Sequence, residues 1–240
     1  MTTNELNLKD ANPLLQFLAL LRDHELEISG MVAASYESVV RRWDRTVARF
    51  ALDQMLEDAS ARIPKGGRVL DAGCGTGLRI PEIRSVFQPQ SITGIDTSIA
   101  MLDRARENIS NAFFTDGDIL CLPFESETFD AVVATWVMET LADPRRAVEE
   151  CLRVLKSGGI LAYSFVNLPG HFKPGDHFHP SALHVVDEAT REQELLGANR
   201  IDFGDSEFAL IKRHQKGLIT TVILGKCCNV EPYMLPLTKL

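Results

Sequence analysis

A glycine-rich turn follows a short apolar segment, and its residues suit the binding of a nucleotide-like ligand. In the segment 69–77, an apolar run leads to Asp71, after which Gly73, Gly75 and Gly77 alternate with single residues. Closely spaced glycines allow backbone angles that other residues avoid, and they let a ligand lie directly against the main chain. The helix that follows opens with free N–H groups that can bind an anion. The turn therefore predicts a ligand site between a strand and a helix.

The spacing of the glycines discriminates between nucleotide-like ligands. The dinucleotide fingerprint Gly-x-Gly-x-x-Gly needs its third glycine at position 78, but Leu78 stands there and the third glycine is Gly77. Asp96 closes the next predicted strand, about twenty residues further on, where an acid can accept both hydroxyl protons of a ribose. The pattern disfavours NAD(P) but leaves an NAD(P)-dependent oxidoreductase as an alternative.

Short apolar runs alternate with helix-forming segments from residue 68 onward. This alternation is typical of right-handed βαβ units in a parallel sheet that helices cover on both faces, with ligands bound beyond the carboxyl ends of the strands. Two further β-rich runs, separated by residues 214–217, predict a terminal antiparallel hairpin. The predicted strands are 68–72, 91–95, 112–115, 131–134, 160–165, 208–213 and 218–224.

The best-defined predicted helix covers residues 144–155. Asp143 is expected to cap its start, Pro144 suits the first helical position, and two glycines at 158–159 lie just past its end. Its apolar face is expected to point at the sheet, and it consists of Val148, Cys151, Leu152 and Leu155.

The first 65 residues predict a helical cap on the sheet domain. One helix is expected over the apolar residues 14–21, and a second carries an apolar stripe at steps of three and four. A break at 64–67 separates the cap, residues 1–65, from the domain of residues 66–240. The stripe of the second helix consists of Tyr36, Val40, Trp43, Val47, Phe50 and Ala51.

Composition limits the class of protein and its partners. The chain has 240 residues, 45% of them hydrophobic and 24% charged, which is typical of a globular α/β protein. A net charge of −8 disfavours nucleic acid as a partner.

The five cysteines are scattered and odd in number, which indicates reduced thiols. Residues 14–21 are too few to span a bilayer and resemble no targeting signal, so the expected location is cytoplasmic, without a membrane partner. The oligomeric state is not readable.

Five segments, in order and in register, resemble the motifs of class I S-adenosylmethionine-dependent methyltransferases. Ser157 stands where that family usually has proline. The resemblance covers about residues 66–225, and it implies a Rossmann-like, mostly parallel seven-stranded sheet with a terminal antiparallel hairpin. The segments are 71–77, 94–102, 117–124, 129–134 and 153–159.

The resemblance also implies roles for individual residues in binding S-adenosyl-L-methionine. Asp96 would accept from the ribose with Thr97 beside it, Asp118 and the Ile119 N–H would meet the adenine edge, and Met101 would pack on the adenine face. Gly73 and Gly75 would approach the methionyl part. Asp71 would orient the loop and the ammonium, and the Ala134 carbonyl would lie near that ammonium. The implied cofactor-binding set is Asp71, Gly73, Gly75, Gly77, Asp96, Thr97, Met101, Asp118, Ile119 and Ala134.

The methyl acceptor is expected to be a small molecule, and a general base for it would come from the parts that the motifs do not cover. Four of the six histidines fall in the segment 167–184, where His171 and His177 are the candidate bases and His179 is a third to test. Glu139, after the fourth strand, is the other candidate. No metal site is predicted, because no cysteine is near and the loop spacing does not make the histidines converge. A non-catalytic module that only binds the cofactor remains a second alternative.

Overall fold

The computed structural model describes residues 37–38, 40–141, 143–166, 201–203, 206–217 and 219–227. Helical residues come first, and from Arg68 strands and helices alternate as expected. The helices are a π-helical turn at Asp44–Ala48, α1 at Arg49–Ser60, α2 at Ile80–Phe87, α3 at Ile99–Asn108, a 3-10 turn at Met138–Thr140 and α4 at Pro144–Val154. The strands are β1 at Arg68–Ala72, β2 at Ser91–Asp96, β3 at Phe113–Asp116, β4 at Phe129–Thr135, β5 at Leu155–Val166, β6 at Ile201–Phe203, β7 at Ser206–Lys216 and β8 at Ile219–Lys226.

The strands form one mixed sheet in the order β3-β2-β1-β4-β5-β8-β7-β6. The first five are parallel to their neighbours, whereas β8 runs antiparallel to both β5 and β7. Because β1 pairs with both β2 and β4, the direction of winding reverses beside β1. A crevice is expected there, beyond the carboxyl ends of these strands. The predicted class of fold is confirmed, and the three-residue β6 adds an eighth strand to the seven expected.

Helices cover both faces of the sheet, as predicted. On one face, α1 and α2 pack against the sheet through side chains such as Leu52, Met55 and Ile83. On the other face lies α4, whose predicted apolar residues are all buried. Asp143 caps α4 as predicted, because its Oδ1 accepts the Arg146 N–H at 3.0 Å. The boundary of the cap at residue 65 stays a prediction, since α1 shares one core with β1 and α2.

The predicted stripe on the second helix is confirmed at three positions and wrong at Phe50, while Tyr36 and the side chain of Val47 lie outside the described residues. Val40, Trp43 and Ala51 are buried, but Phe50 is 60% exposed. The π-helical turn Asp44–Ala48 is wider than an α-helical turn, so it shifts the residues that follow around the helix axis. The buried positions after it include Ala48, Leu52 and Met55. Phe50 instead lies on the surface, with the Lys216 ammonium 3.9 Å from the centre of its ring.

The segment after α4 also differs from the prediction. The two glycines lie past the helix end as predicted, but β5 begins at Leu155, earlier than the predicted position 160, and includes them. Leu155 pairs with Phe129, and the register then shifts before Ala131 pairs with Ile160. Gly158 has a φ of +78°, which accommodates this irregularity. Among the described residues, no helix combines the length and the apolar character that crossing a bilayer requires.

Candidate functional site

An open cleft lies at the carboxyl ends of β1, β2 and β4, where the winding of the sheet reverses. Its empty volume is about 620 Å³ when counted out to the open solvent. The lining residues come from the glycine loop, the end of β2, the start of α3, the loop after β3 and the segment after β4. They are Gly73, Gly75, Ile95, Asp96, Thr97, Met101, Gly117, Asp118, Ile119, Thr135, Trp136, Val137, Thr140 and Leu141.

The glycine loop is held at the floor of this cleft by the end of β2. The N–H groups of Gly73 and Cys74 both donate to the Ile95 carbonyl, each at 2.9 Å. Gly73 has a φ of +73°, and a Cβ atom built there would lie 2.6 Å from Cγ2 of Val137. Glycine is therefore required at position 73 by both the backbone and the packing. Gly77 does not line the cleft. A Cβ atom built there would meet Ala105 of α3 and Ile109, the residue that follows that helix.

Asp96 joins the glycine loop to the helix that follows β2. Its Oδ2 accepts the Gly75 N–H at 2.8 Å, and its Oδ1 accepts the Ser98 N–H at 2.9 Å. An ionised carboxylate has about four acceptor positions, so two bonds fix its orientation and leave acceptor capacity for a ligand. Since the side chain is partly exposed and lines the cleft, that capacity is available to hydroxyl groups.

Four further predicted residues also line the cleft. Met101 and Ile119 are buried apolar side chains that line the cleft, whereas Thr97 and Asp118 are exposed at its edge. Oδ1 of Asp118 accepts the Leu120 N–H at 2.9 Å, which fixes the turn after β3. The structure therefore brings an apolar surface and a carboxylate together beside Asp96, the acid that is expected to bind the ribose.

Asp71 lies behind the glycine loop and not in the cleft itself. It lines a neighbouring cavity of about 340 Å³, which shares Gly73, Thr135 and Trp136 with the cleft. The side chain is buried and its Oδ2 has no hydrogen-bond partner in the described part of the chain. Burial raises the pKa of Asp71 to about 7, although the Arg79 guanidinium works in the opposite direction. A buried carboxylate oxygen without a donor is a position where a ligand cation would be stabilised.

The remaining sequence candidates are placed as follows. Ala134 is buried in the core, and the next residue, Thr135, lines the cleft in its place. Glu139 belongs to the 3-10 turn and precedes Thr140, which lines the cleft. The structure describes the backbone of Glu139 but not its side chain. His171, His177 and His179 lie outside the described residues. No group of three side chains suited to hold a metal ion occurs within the described ranges.

One set of residues that fixes the cleft was not found from the sequence. Glu150 of α4 is buried and accepts from the Leu122 N–H at 2.9 Å and from the Arg153 Nη2 at 2.8 Å. Arg153 in turn donates to the carbonyls of Leu122 and Phe124, at 2.9 and 2.8 Å. These bonds secure the loop that carries Asp118, and they lower the pKa of Glu150, chiefly through the Arg153 bond. The sequence signal for this network was the charged residues at 146, 150 and 153, which lie on a helix whose opposite face is apolar.

Trp136 was also missed. It follows β4 with a φ of +59°, a conformation that costs a bulky residue about 1–3 kcal/mol. It lines both the cleft and the neighbouring cavity. Nothing in the local sequence signals this conformation.

Comparison with known proteins agrees with this geometry. Residues 70–163 match the family described as a methyltransferase domain. The chain is 30% identical over 170 residues to a demethylmenaquinone methyltransferase of Desulfitobacterium hafniense, an alignment that covers 62% of this chain and 67% of the relative. It is 40% identical over 101 residues to a phosphatidylethanolamine N-methyltransferase of Cereibacter sphaeroides, covering 40% of this chain and 48% of the relative.

Two solved structures show the same fold. A SAM-dependent methyltransferase from Aquifex aeolicus superposes with a TM-score of 0.54 at 18% identity, covering 77% of this chain and 92% of the other. The [4+2]-cyclase SpnF superposes with a TM-score of 0.51 at 21% identity, covering 73% and 81%. The alignment spans about half of the length of the Cereibacter relative. The matched region contains the glycine loop, Asp96 and Asp118, and it places this chain in the family of S-adenosylmethionine-dependent methyltransferases, which have S-adenosyl-L-methionine as their cofactor.

Proposed function

We propose that the cleft binds S-adenosyl-L-methionine and that the enzyme transfers its methyl group to a small-molecule acceptor. The observation that carries the proposal is the Asp96 carboxylate, which the Gly75 and Ser98 N–H groups hold at the edge of the cleft with acceptor capacity to spare. In this proposal, Asp96 accepts from the ribose hydroxyls, with Thr97 beside it. Gly73 and Gly75 lie under the methionyl part.

The rest of the cleft suits the other parts of the cofactor. Met101 and Ile119 supply an apolar surface for the adenine ring, and Asp118 supplies an acceptor for its amino group. The unpartnered Oδ2 of Asp71 suits the ammonium of the methionyl part. At the end of β4, we place the backbone contact at Thr135 and not at Ala134, because Thr135 lines the cleft. Gly77 supports the loop from below without touching the ligand.

When bound, the cofactor supplies a methyl group that its sulfonium already activates. The protein then has to hold the acceptor in line and exclude water, because proximity and alignment provide most of the acceleration. Trp136, Val137 and Leu141 give one wall of the cleft an apolar character that suits a flat ring. Glu139, His171 and His177 are our candidates for the base that takes a proton from the acceptor, where the acceptor needs one removed.

A hydroquinone-type ring is the acceptor that we infer first. The named relatives include demethylmenaquinone methyltransferases and a 2-methyl-6-phytyl-1,4-hydroquinone methyltransferase of rice, which is 37% identical over 95 residues. That alignment covers 39% of this chain and 27% of the rice protein. A phosphatidylethanolamine headgroup is the second acceptor to test, because of the Cereibacter relative.

Transfer of a labelled methyl group tests the proposal directly. The full chain is incubated with methyl-labelled S-adenosylmethionine and, in separate reactions, with a reduced naphthoquinone, a substituted benzohydroquinone and phosphatidylethanolamine vesicles. Label in a quinol product supports the proposal, whereas label only in the lipid assigns the amine instead. If S-adenosylhomocysteine binds but no label is transferred, even to extracts of small metabolites, the non-catalytic binding module is favoured.

Alanine at His171, His177, His179 or Glu139 is expected to lower turnover more than cofactor affinity if that residue is the base.

We further infer a cytoplasmic location. Cys74, Cys121 and Cys151 are free thiols in the described part of the chain, as a reducing compartment favours. Burial raises the pKa of the Cys74 and Cys151 thiols well above the usual range, which keeps both unreactive. Fractionation of cells that express the native protein would test the location.

A further inference from the structure

Trp136 holds an unfavourable backbone conformation at a sensitive place in the cleft. Its φ of +59° follows directly on β4, and the next residue, Val137, packs over Gly73 of the glycine loop. A bulky residue keeps such a conformation only where its surroundings compensate for it. The groups that contact the indole therefore control the shape of this wall.

The compensating contacts come from the helical segment that precedes the sheet. The indole N–H of Trp136 donates to Oδ1 of Asp44 at 3.3 Å. The rings of Trp136 and Trp43 meet edge to face, with centroids 5.9 Å apart and an interplanar angle of 76°. Asp44 opens the π-helical turn Asp44–Ala48, and such turns frequently occur at functional sites.

The same carboxylate also pairs with a residue that follows the glycine loop. Oδ2 of Asp44 forms an ion pair with Arg79, whose side chain is 9% exposed against 17% for Asp44. Arg79 is the N-cap residue of α2 and lies two positions after Gly77. One side chain thus connects the glycine loop, through Arg79, with the segment after β4, through Trp136.

We propose that Asp44 is a positioning residue for the cofactor site, and that docking of its π-helical turn and binding of the cofactor favour each other. The inference rests on the proposed function, since it takes the cleft to be the cofactor site. Asp44 does not line the cleft, so it acts through Trp136 and Arg79. Loss of its carboxylate frees Trp136 to leave the left-handed conformation, which moves Val137 relative to Gly73. By linkage, the cofactor stabilises the docked turn by the same factor by which the turn strengthens cofactor binding.

The experiment measures S-adenosylhomocysteine affinity by calorimetry in four single variants and one double variant of the full chain. Asp44→Ala is expected to weaken binding about tenfold, within the usual range of coupling between sites. Asp44→Asn retains an oxygen for the indole N–H and is expected to restore part of the loss. Trp136→Phe removes the donor, and its effect together with Asp44→Ala is expected to be less than the product of the two separate effects. Asp103→Asn is the control, because Asp103 is an exposed acid on α3 that pairs with Arg106 at 2.8 Å and does not line the cleft.

A spectroscopic signal separates positioning from a general loss of stability. The chain has two tryptophans, so Trp43→Phe leaves Trp136 as the only indole. In that background, Asp44→Ala is expected to shift the Trp136 emission to longer wavelength in the folded protein, and S-adenosylhomocysteine is expected to reverse part of the shift. Hydrogen exchange of residues 44–60 is expected to slow on binding in the wild type and to change less in the variant.

Each outcome has a defined meaning. Unchanged affinity and unchanged emission in folded Asp44→Ala overturn the proposal. If that variant does not fold, unchanged affinity in both Asp44→Asn and Trp136→Phe overturns it. A wild type that binds no S-adenosylhomocysteine refutes the cofactor site instead, and the emission shift then tells whether Asp44 still positions Trp136.

Discussion

Replacement of Asp96 by asparagine tests the cofactor site most directly. The carboxylate accepts two backbone N–H bonds, from Gly75 at 2.8 Å and Ser98 at 2.9 Å, and its remaining acceptor positions face the ligand. Asparagine keeps one oxygen but introduces an NH₂ group, which cannot accept and which repels a backbone donor. The variant has the same shape, so any effect reports on charge and hydrogen bonding.

The size of the effect follows from the bonds that are lost. A hydrogen bond to a charged group contributes about 1.5–3 kcal/mol, and at least one such bond to the ligand disappears. With about 1.4 kcal/mol for each factor of ten, a loss of about 2–3 kcal/mol weakens binding about 30- to 140-fold. Stability is expected to fall by only about 1–2 kcal/mol, because one of the two backbone donors loses its acceptor.

Calorimetric titration with S-adenosylhomocysteine measures this loss, and circular dichroism verifies that the variant is folded. Asp103→Asn is the matched control, because Asp103 is an exposed acid on α3 that pairs with Arg106 at 2.8 Å and does not line the cleft. An exposed pair contributes at most about 1 kcal/mol to stability, and this one contributes nothing to the ligand. A folded Asp96→Asn protein that binds as tightly as Asp103→Asn would show that the cleft does not hold a ribose at Asp96.

Three further predictions concern the loop, the buried acid and the network on α4. Gly73→Ala and Gly217→Ala both place a side chain at positive φ, which costs about 1–2 kcal/mol of stability. Of these two positions, only at 73 does the new Cβ meet another residue, so chemical denaturation should show a further loss of about 1–3 kcal/mol for that variant. Equal losses of stability in the two variants would contradict the packing argument. Burial raises the pKa of Asp71 from 3.8 to about 7, so between these pH values the folded state binds a proton that the unfolded state has lost. The free energy of unfolding without cofactor should therefore fall as the pH rises from about 4 to 7, by on the order of 4 kcal/mol. Urea titrations at several pH values should show that fall for the wild type and not for Asp71→Asn, and a wild-type profile as flat as that of the variant would refute it. Glu150→Ala leaves Arg153 without its carboxylate and should lower stability by about 3 kcal/mol and weaken cofactor binding. Glu149→Ala, at a partly exposed neighbouring position on α4, should change either by little, and matching results for the two would argue against the network.

The sequence by itself determined the alternation of strands and helices and the principal residues of the cleft. Gly73, Gly75 and Asp96 lie at the ends of strands, or just after them, and the apolar pattern of those strands is local. Their place at the carboxyl edge of the sheet therefore follows from the order of the elements. The Asp143 cap and the buried face of α4 are local for the same reason. Resemblance to a known family added which ligand these residues hold.

The tertiary structure decided what fixes the walls of that cleft. The hydrogen bond between Asp44 and Trp136 joins residues 92 positions apart, and the pair of Asp44 with Arg79 spans 35 positions. The left-handed backbone of Trp136 and the π-helical turn that exposes Phe50 are both locally unfavourable, so local preference predicts against them. They persist because contacts between segments distant in the sequence compensate for their cost, and such contacts exist only once the chain has folded.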